Sequence, residues 1–402
     1  MKRCFAILFL ALWLAALGPV TPATASESEI ALRAALQRDL NAHLAARSKI
    51  EHISAISLSV SLHGGQPNIN VTTGTTKFGG GVLVTPEQLW QIGSNTKAFT
   101  AAIVLQLEAE GKLTIDQTVG RWLPQYPAWK NVTIRRLLNM TSGIPGYDDV
   151  PAMLEDYAKN PARDFTIPEL VAYVYPGNAH APPPTTGYNY SNTNYLLAEL
   201  IIEHATHDSY ASELDRRFLH SDLELTSSYY SGTQYPASVL DRMVSGYFFS
   251  HDSDNAGLAP LLGRDVRADS VSWMKAAGAI VSTPEDLTRW ARALYTGPIL
   301  APKQHAELVE LVSTKTGKPI KTTSLSDPRG FGLGVAELTT PQTGTVWFYE
   351  GETLGYRMVH LYFPRQDAVI AFGMNSQADS KQDSSSKLGL AIYETLHAAG
   401  SL

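Results

Sequence analysis

A serine followed three residues later by a lysine can support covalent catalysis when both stand at the mouth of a helix. Ser94 and Lys97 do so in Gln91-Ile92-Gly93-Ser94-Asn95-Thr96-Lys97-Ala98-Phe99. Positions i and i+3 of a helix share a face, so the lysine amine can lie beside the serine hydroxyl and take its proton. That role needs a neutral lysine, and burial or nearby positive potential lowers an amine's pKa in that direction. The first helical turn also leaves backbone N–H groups unpaired and open to a developing oxyanion. Alone, the tetrapeptide reads more readily as a capped, solvated helix start, so its surroundings decide. Phe99, Ile103, Val104 and Leu107 recur at helical spacing and Gly111 is a stop signal. Ser94 is therefore expected to open an amphipathic helix of about four turns.

A second constellation lies in Tyr188-Asn189-Tyr190-Ser191-Asn192-Thr193-Asn194-Tyr195, which runs into the apolar stretch Leu196–Ile202. Tyr190 stands two residues before Asn192 on a loop entering a helix. A phenol near Lys97 could relay a proton to a leaving group, and the Asn192 amide could hold both Lys97 and a substrate carbonyl. The structural alternative is a helix cap with aromatic packing, since Ser and Asn favour such positions.

The elements that must position these residues follow from periodicity. A helix is expected at about 29–48, and Ala55–Leu62 alternates apolar and polar residues as a strand before the His63-Gly64-Gly65 turn. From about 115 to 270, short helical patterns at Val132–Asn139, Pro168–Tyr175, Asn194–His204 and Ser212–Leu219 are separated by Pro, Gly, Asp and aromatic loops. Strand patterns return at Phe331–Leu338, Thr345–Glu350, Tyr356–Phe363 and Ala368–Met374, and a closing helix covers about 384–398. The expected class is α/β (α+β): an antiparallel sheet flanked by helices, built from residues 26–114 and 271–402, with a mainly helical domain at 115–270 inserted between its halves.

Lys2 and Arg3 precede an apolar stretch from Phe5 to Leu17, and Ala23-Thr24-Ala25 supplies a small-x-small cleavage pattern. Residues 1–25 thus read as an export signal, too short in its apolar part to be a comfortable membrane anchor. Cleavage leaves 377 of the 402 residues and removes Cys4, the sole cysteine, so neither a disulfide nor a thiol nucleophile is expected. It also takes the formal charge from −6 to −8, because residues 1–25 contain no acid. That balance argues against a nucleic-acid partner. The eleven histidines form no obvious metal-ligand pattern, and no metal or organic cofactor is expected.

With Gly93–Lys97 and Tyr190-Ser191-Asn192 in place, the chain resembles the penicillin-recognising serine hydrolases: class C β-lactamases, D-alanyl-D-alanine carboxypeptidases, D-aminopeptidases and related esterases. Further matching segments are Gly111–Asp116, Leu137–Gly143, Ala277–Thr283 and Phe331–Gly334, so the likeness covers nearly all the mature chain and is greatest to the D,D-carboxypeptidase branch. The resemblance implies a β-lactamase/transpeptidase-like fold, Ser94 as nucleophile, Lys97 and Tyr190 as the proton-transfer pair, and Asn192 as a positioning residue.

The family's third element is a Lys- or His-x-Gly on a strand edging the cleft. Lys315-Thr316-Gly317 matches literally, but Lys318-Pro319 and a polar stretch follow, so it reads as a loop. Val346–Tyr356 is better placed, between two strand patterns, and puts Tyr349 in the Lys or His position. Gly351 would allow backbone to approach the ligand, and the Glu352 N–H would join that of Ser94 as the oxyanion hole. A phenol supplies no positive charge at neutral pH, and Glu350 and Glu352 add acidity beside it, so a modest preference for amide- or ester-capped substrates over free carboxylates is expected.

The resulting expectation is a periplasmic or secreted serine hydrolase of the D,D-carboxypeptidase type, acting on D-amino-acid peptides or cell-wall fragments. Its partners would be small peptide, ester or β-lactam molecules, with no stable membrane insertion after signal cleavage. An esterase or weak class C-like β-lactamase is the alternative within the same chemistry. A non-turnover sensor of β-lactams or wall peptides is the alternative outside it.

Overall fold

The computed structural model describes residues 27–63, 67–179, 181–297 and 299–402. The export signal read at residues 1–25 lies outside the described residues. Leu32, Leu36 and Leu40 recur on one face of the first helix, α1 (Glu27–Glu51), and bury it against the sheet that follows. The next strands are β1 (Ala55–Leu62), β2 (Ile69–Lys77) and β3 (Gly80–Leu83). Three helices bear on the site: α2 (Thr96–Ala109), α3 (Thr193–Thr206) and α4 (Pro284–Thr296). The C-terminal part supplies β4 (Leu311–Ser313), β5 (Pro319–Ile320), β6 (Arg329–Phe331), β7 (Ala336–Thr340), β8 (Gly344–Thr353), β9 (Tyr356–Phe363) and β10 (Ala368–Met374). Helix α5 (Ser385–Ala398) closes the chain.

These ten strands make one antiparallel sheet in the order β3-β2-β1-β10-β9-β8-β7-β6-β4-β5, so strands from both ends of the chain meet where Leu58 pairs with Phe372. All seven residues of β10 are buried, which explains the unbroken apolar run Ala-Val-Ile-Ala-Phe-Gly-Met: helices cover both faces of this central strand. On one face Leu36 and Leu40 of α1 pack with Leu388 and Ile392 of α5 over Val60 and Ile370. On the other, Phe99 of α2 stacks on Trp290 of α4 at 3.6 Å between ring centroids. Phe218 meets the same pair edge-on.

The alternation in β1 hides a second buried face. Ser57, Ser59 and Ser61 are as enclosed as the apolar residues between them, because α4 lies across them. Small side chains permit that close approach, and Arg292 of α4 donates to the Ser61 carbonyl at 3.0 Å. Helix α2 also departs from expectation. It is not amphipathic in its setting: Thr96 through Leu105 are all buried, since the helix runs between the sheet and the helical region.

The single strand expected at 331–338 is a hairpin instead. Gly334 has φ +75°, and a Cβ there would stand 2.8 Å from the Lys97 carbonyl oxygen. The chain therefore turns against α2 before returning as β7. Lys315 lies exposed in the turn between the short edge strands β4 and β5, at the outer edge of the sheet and away from β8. Among the described residues no helix is long and apolar enough to cross a membrane.

Candidate active site

Ser94 stands in a single 3-10 turn, Gly93–Asn95, that precedes α2 rather than in the α-helix proper. The turn is pressed onto β8 backbone to backbone, and two glycines make this possible. A Cβ on Gly351 would fall 1.9 Å from the Ile92 carbonyl oxygen, and one on Gly93 would fall 2.8 Å from the Glu352 nitrogen. Gly351 thus serves the contact between the strand and the Ser94 turn. Along β8, Tyr349, Gly351 and Thr353 are buried, while the alternating Glu350 and Glu352 are more exposed.

Asn95 locks the same turn. Its Nδ2 donates to the carbonyls of Ile92 and Met358, each at 2.9 Å. Its Oδ1 can then only accept, so the neighbouring His360 Nδ1, 2.7 Å away, carries the proton. His360 Nε2 is left as an acceptor for the Tyr295 hydroxyl at 3.0 Å. Full burial pushes the His360 pKa down to about 3, which keeps this ring neutral.

Lys97 is completely buried, with Nζ 2.9 Å from Ser94 Oγ and 2.8 Å from the Ala277 carbonyl oxygen. Desolvation lowers its pKa to about 7, against the opposing pull of Asp148. A neutral Lys97 can give one N–H to Ala277 while its lone pair accepts the Ser94 proton. Tyr190 donates to Ser94 Oγ at 2.8 Å from the opposite side. Although more than a third of Tyr190 is exposed, desolvation of its hydroxyl pushes the phenol up, away from ionisation at neutral pH. The two groups on Ser94 are therefore held in different states, an available base and a protonated acid.

Tyr349 is buried with its hydroxyl 3.2 Å from that of Tyr190, and desolvation keeps it protonated as well. Asn192 sits at the entry of α3 as expected, but its amide does not hold Lys97. Nδ2 donates to Asp148 Oδ2 at 2.5 Å, and the bonds of Lys97 go to Ser94 and Ala277. Glu352 lines the same pocket as Ser94. Its carboxyl is pushed up to about 7 by desolvation and by Glu350 beside it.

The site contains three groups absent from the sequence reading. Asp148 closes the Gly143-Ile144-Pro145-Gly146-Tyr147-Asp148 loop, which hydrogen bonds from Tyr147 N to Thr193 Oγ1 and from Thr193 Oγ1 to the Pro145 carbonyl tie to α3. An acid in a Gly/Pro loop directly after the Leu137–Gly143 segment was the available signal. The Ala277 carbonyl carried no side-chain signal. Arg329 on β6 lines a second cleft with Tyr188, Phe331, Tyr349 and Glu350, and Tyr190 borders both cavities.

A family model described as Beta-lactamase matches residues 40–391. The chain belongs to that family. Within the Beta-lactamase family it is 26% identical over 296 residues to Penicillin-binding protein 4* of Bacillus subtilis (strain 168), covering 73% of this chain and 62% of that one. Protein flp of Staphylococcus aureus (strain NCTC 8325 / PS 47) is 27% identical over 52% of this chain and 39% of its own. The chain thus spans less than two thirds of these curated relatives. Among solved structures, a D-stereospecific amidohydrolase from Streptomyces sp. superposes with a TM-score of 0.70 at 26% identity, covering 87% of this chain and 96% of that one. A D-amino acid amidase from Ochrobactrum anthropi SV3, complexed with L-phenylalanine, gives 0.77 at 23% identity over 91% and 99%, a likeness of fold.

Proposed function

We propose that the protein is an exported, periplasmic or secreted hydrolase that forms an acyl-enzyme on Ser94, a D,D-carboxypeptidase-type peptidase acting on D-amino-acid peptides or cell-wall fragments. The observation that carries this is Ser94 Oγ held between a near-neutral Lys97 at 2.9 Å and a protonated Tyr190 at 2.8 Å. Lys97 takes the Ser94 proton as Oγ attacks the carbonyl, and the Ser94 and Glu352 N–H groups receive the oxyanion. Tyr190 gives its proton to the leaving nitrogen, the C–N bond breaks, and Tyr190 is left as a phenolate. Water then attacks the ester, the phenolate takes its proton, and Ser94 departs with the proton held on Lys97.

A second reading, hydrolysis of simple amides or esters, is favoured by the uncharged Tyr349 where relatives hold Lys or His, and by the D-stereospecific amidohydrolase among the similar structures. The deciding experiment assays purified protein with a D-Ala-D-Ala peptide, a D-amino acid amide, an aryl ester and a chromogenic cephalosporin. Mass spectrometry locates the acyl group. Steady turnover of the D-peptide with acyl on Ser94 supports the first reading, and turnover of amide or ester alone supports the second. A stoichiometric burst with no further product would replace both with a sensor.

A further inference from the structure

Helix α3 carries one charged residue in its apolar run Leu196–Ile202, Glu199, and that residue is only 6% exposed. A carboxyl group enclosed in this way costs free energy unless it holds a donor. Glu199 Oε2 accepts the Ala276 N–H at 2.9 Å, which ties α3 to the 3-10 turn Lys275–Ala277. The same turn supplies the Ala277 carbonyl that accepts from Lys97 Nζ at 2.8 Å.

The turn needs that hold. Lys275 has φ +41°, a conformation that residues with a side chain seldom adopt and that persists only where neighbours enforce it. The Ala276 carbonyl is fixed as well, by the Thr100 hydroxyl of α2 at 2.8 Å. Ala276 is thus pinned at its N–H by α3 and at its carbonyl by α2, and the next carbonyl along the chain is delivered to Lys97. Among the described residues that line the Ser94 pocket and the aromatic cleft Glu199 is not one, so its route to the site is this backbone. The acid whose charge pulls on Lys97 is Asp148.

We propose that Glu199 is a positioning residue for the base: by holding the Ala276 N–H it keeps the Ala277 carbonyl on one N–H of Lys97, and so aims the Lys97 lone pair at Ser94 Oγ. This rests on the hydrolase reading above, in which Lys97 takes the Ser94 proton. A neutral amine has two N–H bonds and one lone pair, so tethering an N–H restricts where the lone pair can point. The role asks Glu199 for an oxygen at the right reach rather than for a charge. Burial pushes its carboxyl up to about 7, and the carbonyl oxygen of that group accepts in either protonation state.

The test separates reach from charge. Glu199→Gln keeps the acceptor and removes the charge, while Glu199→Asp keeps the charge and withdraws the acceptor by a methylene. Glu199→Met keeps the length and removes both. Stopped-flow release from an aryl ester gives the acylation rate constant as pH rises to its plateau, with Tm recorded for each protein. Glu199→Gln is expected to hold the wild-type plateau within about twofold, and the aspartate and methionine variants to lower it by about tenfold or more, as a misaimed catalytic group does. The substrate concentration giving half the maximal rate should not move, because Glu199 borders neither cavity. A wild-type plateau in a folded aspartate or methionine variant, or an equal loss in Glu199→Gln, overturns the role while leaving the hydrolase reading intact. Loss of the fold in both the aspartate and methionine variants overturns it too, by assigning Glu199 to stability alone. Failure of the wild-type protein to take a fluorophosphonate on Ser94 removes the hydrolase reading, and this role with it.

Discussion

Burial holds Lys97 and Tyr190, the two groups on Ser94, in the different protonation states that the proposed division of base and acid duties requires. Because desolvation brings Lys97 down to about 7 from 10.5, its base form is present above that value and lost below it. Acylation of Ser94 should therefore rise with pH and level off above about 7, as read by stopped-flow release from an aryl ester. A rate that is flat from acid to neutral pH would show that Lys97 is not the base. The sign for folding is the same. Between about 7 and 10.5 the unfolded chain holds the extra proton, so Lys97 favours the fold increasingly as pH rises. Lys97→Ala and Tyr190→Phe should each slow acylation by about 10²–10⁴-fold. Ser94→Ala should abolish labelling altogether, and label found on the buried Ser142 or Ser191 would sink the assignment.

At the scale of elements, Ser94, the proposed nucleophile, is positioned by the contact between the Gly93–Asn95 turn and β8. Even Gly351→Ala places a methyl 1.9 Å from the Ile92 carbonyl oxygen, so the strand and turn must separate. Loss of Ser94 labelling together with a lowered Tm is expected, and a stable, active variant would show that the two elements need not touch. His360 supports the same contact from behind. Replacing it with Ala orphans Asn95 Oδ1 and the Tyr295 hydroxyl, at a cost of about 1–3 kcal/mol for each unsatisfied group. Its folded pKa, about 3, lies below the unfolded 6.5, so its contribution is complete above 6.5 and is lost as pH falls. Wild-type Tm should drop through that acid range more steeply than the Tm of His360→Gln, and parallel curves would show that His360 does not titrate on unfolding.

Across the whole molecule, the sheet brings to one cleft residues that the chain keeps far apart. Arg329 of β6 and Glu350 of β8 line the aromatic cleft beside Tyr190 together, so the positive charge that Tyr349 lacks returns from another strand, balanced by an acid. The expected bias toward capped substrates then depends on this pair. In kcat/KM for matched amide-capped and free-carboxylate peptides, Arg329→Ala should raise the capped-to-free ratio and Glu350→Thr should lower it. Lys315→Ala, in an exposed edge turn, should change activity by less than about twofold, as surface substitutions do. A crippling effect would mean that Lys315 reaches the cleft. The strands at Ala55–Leu62, Tyr356–Phe363 and Ala368–Met374 were legible to the residue because period and turn signals are local. The meeting of Ser94, Lys97 and Tyr190 was legible because side-chain type and short motif spacing are local signals. The burial of α2, the hairpin at Gly334, the partner of Asn192, the Ala277 carbonyl and the two-sided cleft were not. Each depends on which distant segment lies alongside, and that is decided by packing and backbone contact, for which a residue's own neighbours in sequence carry no signal.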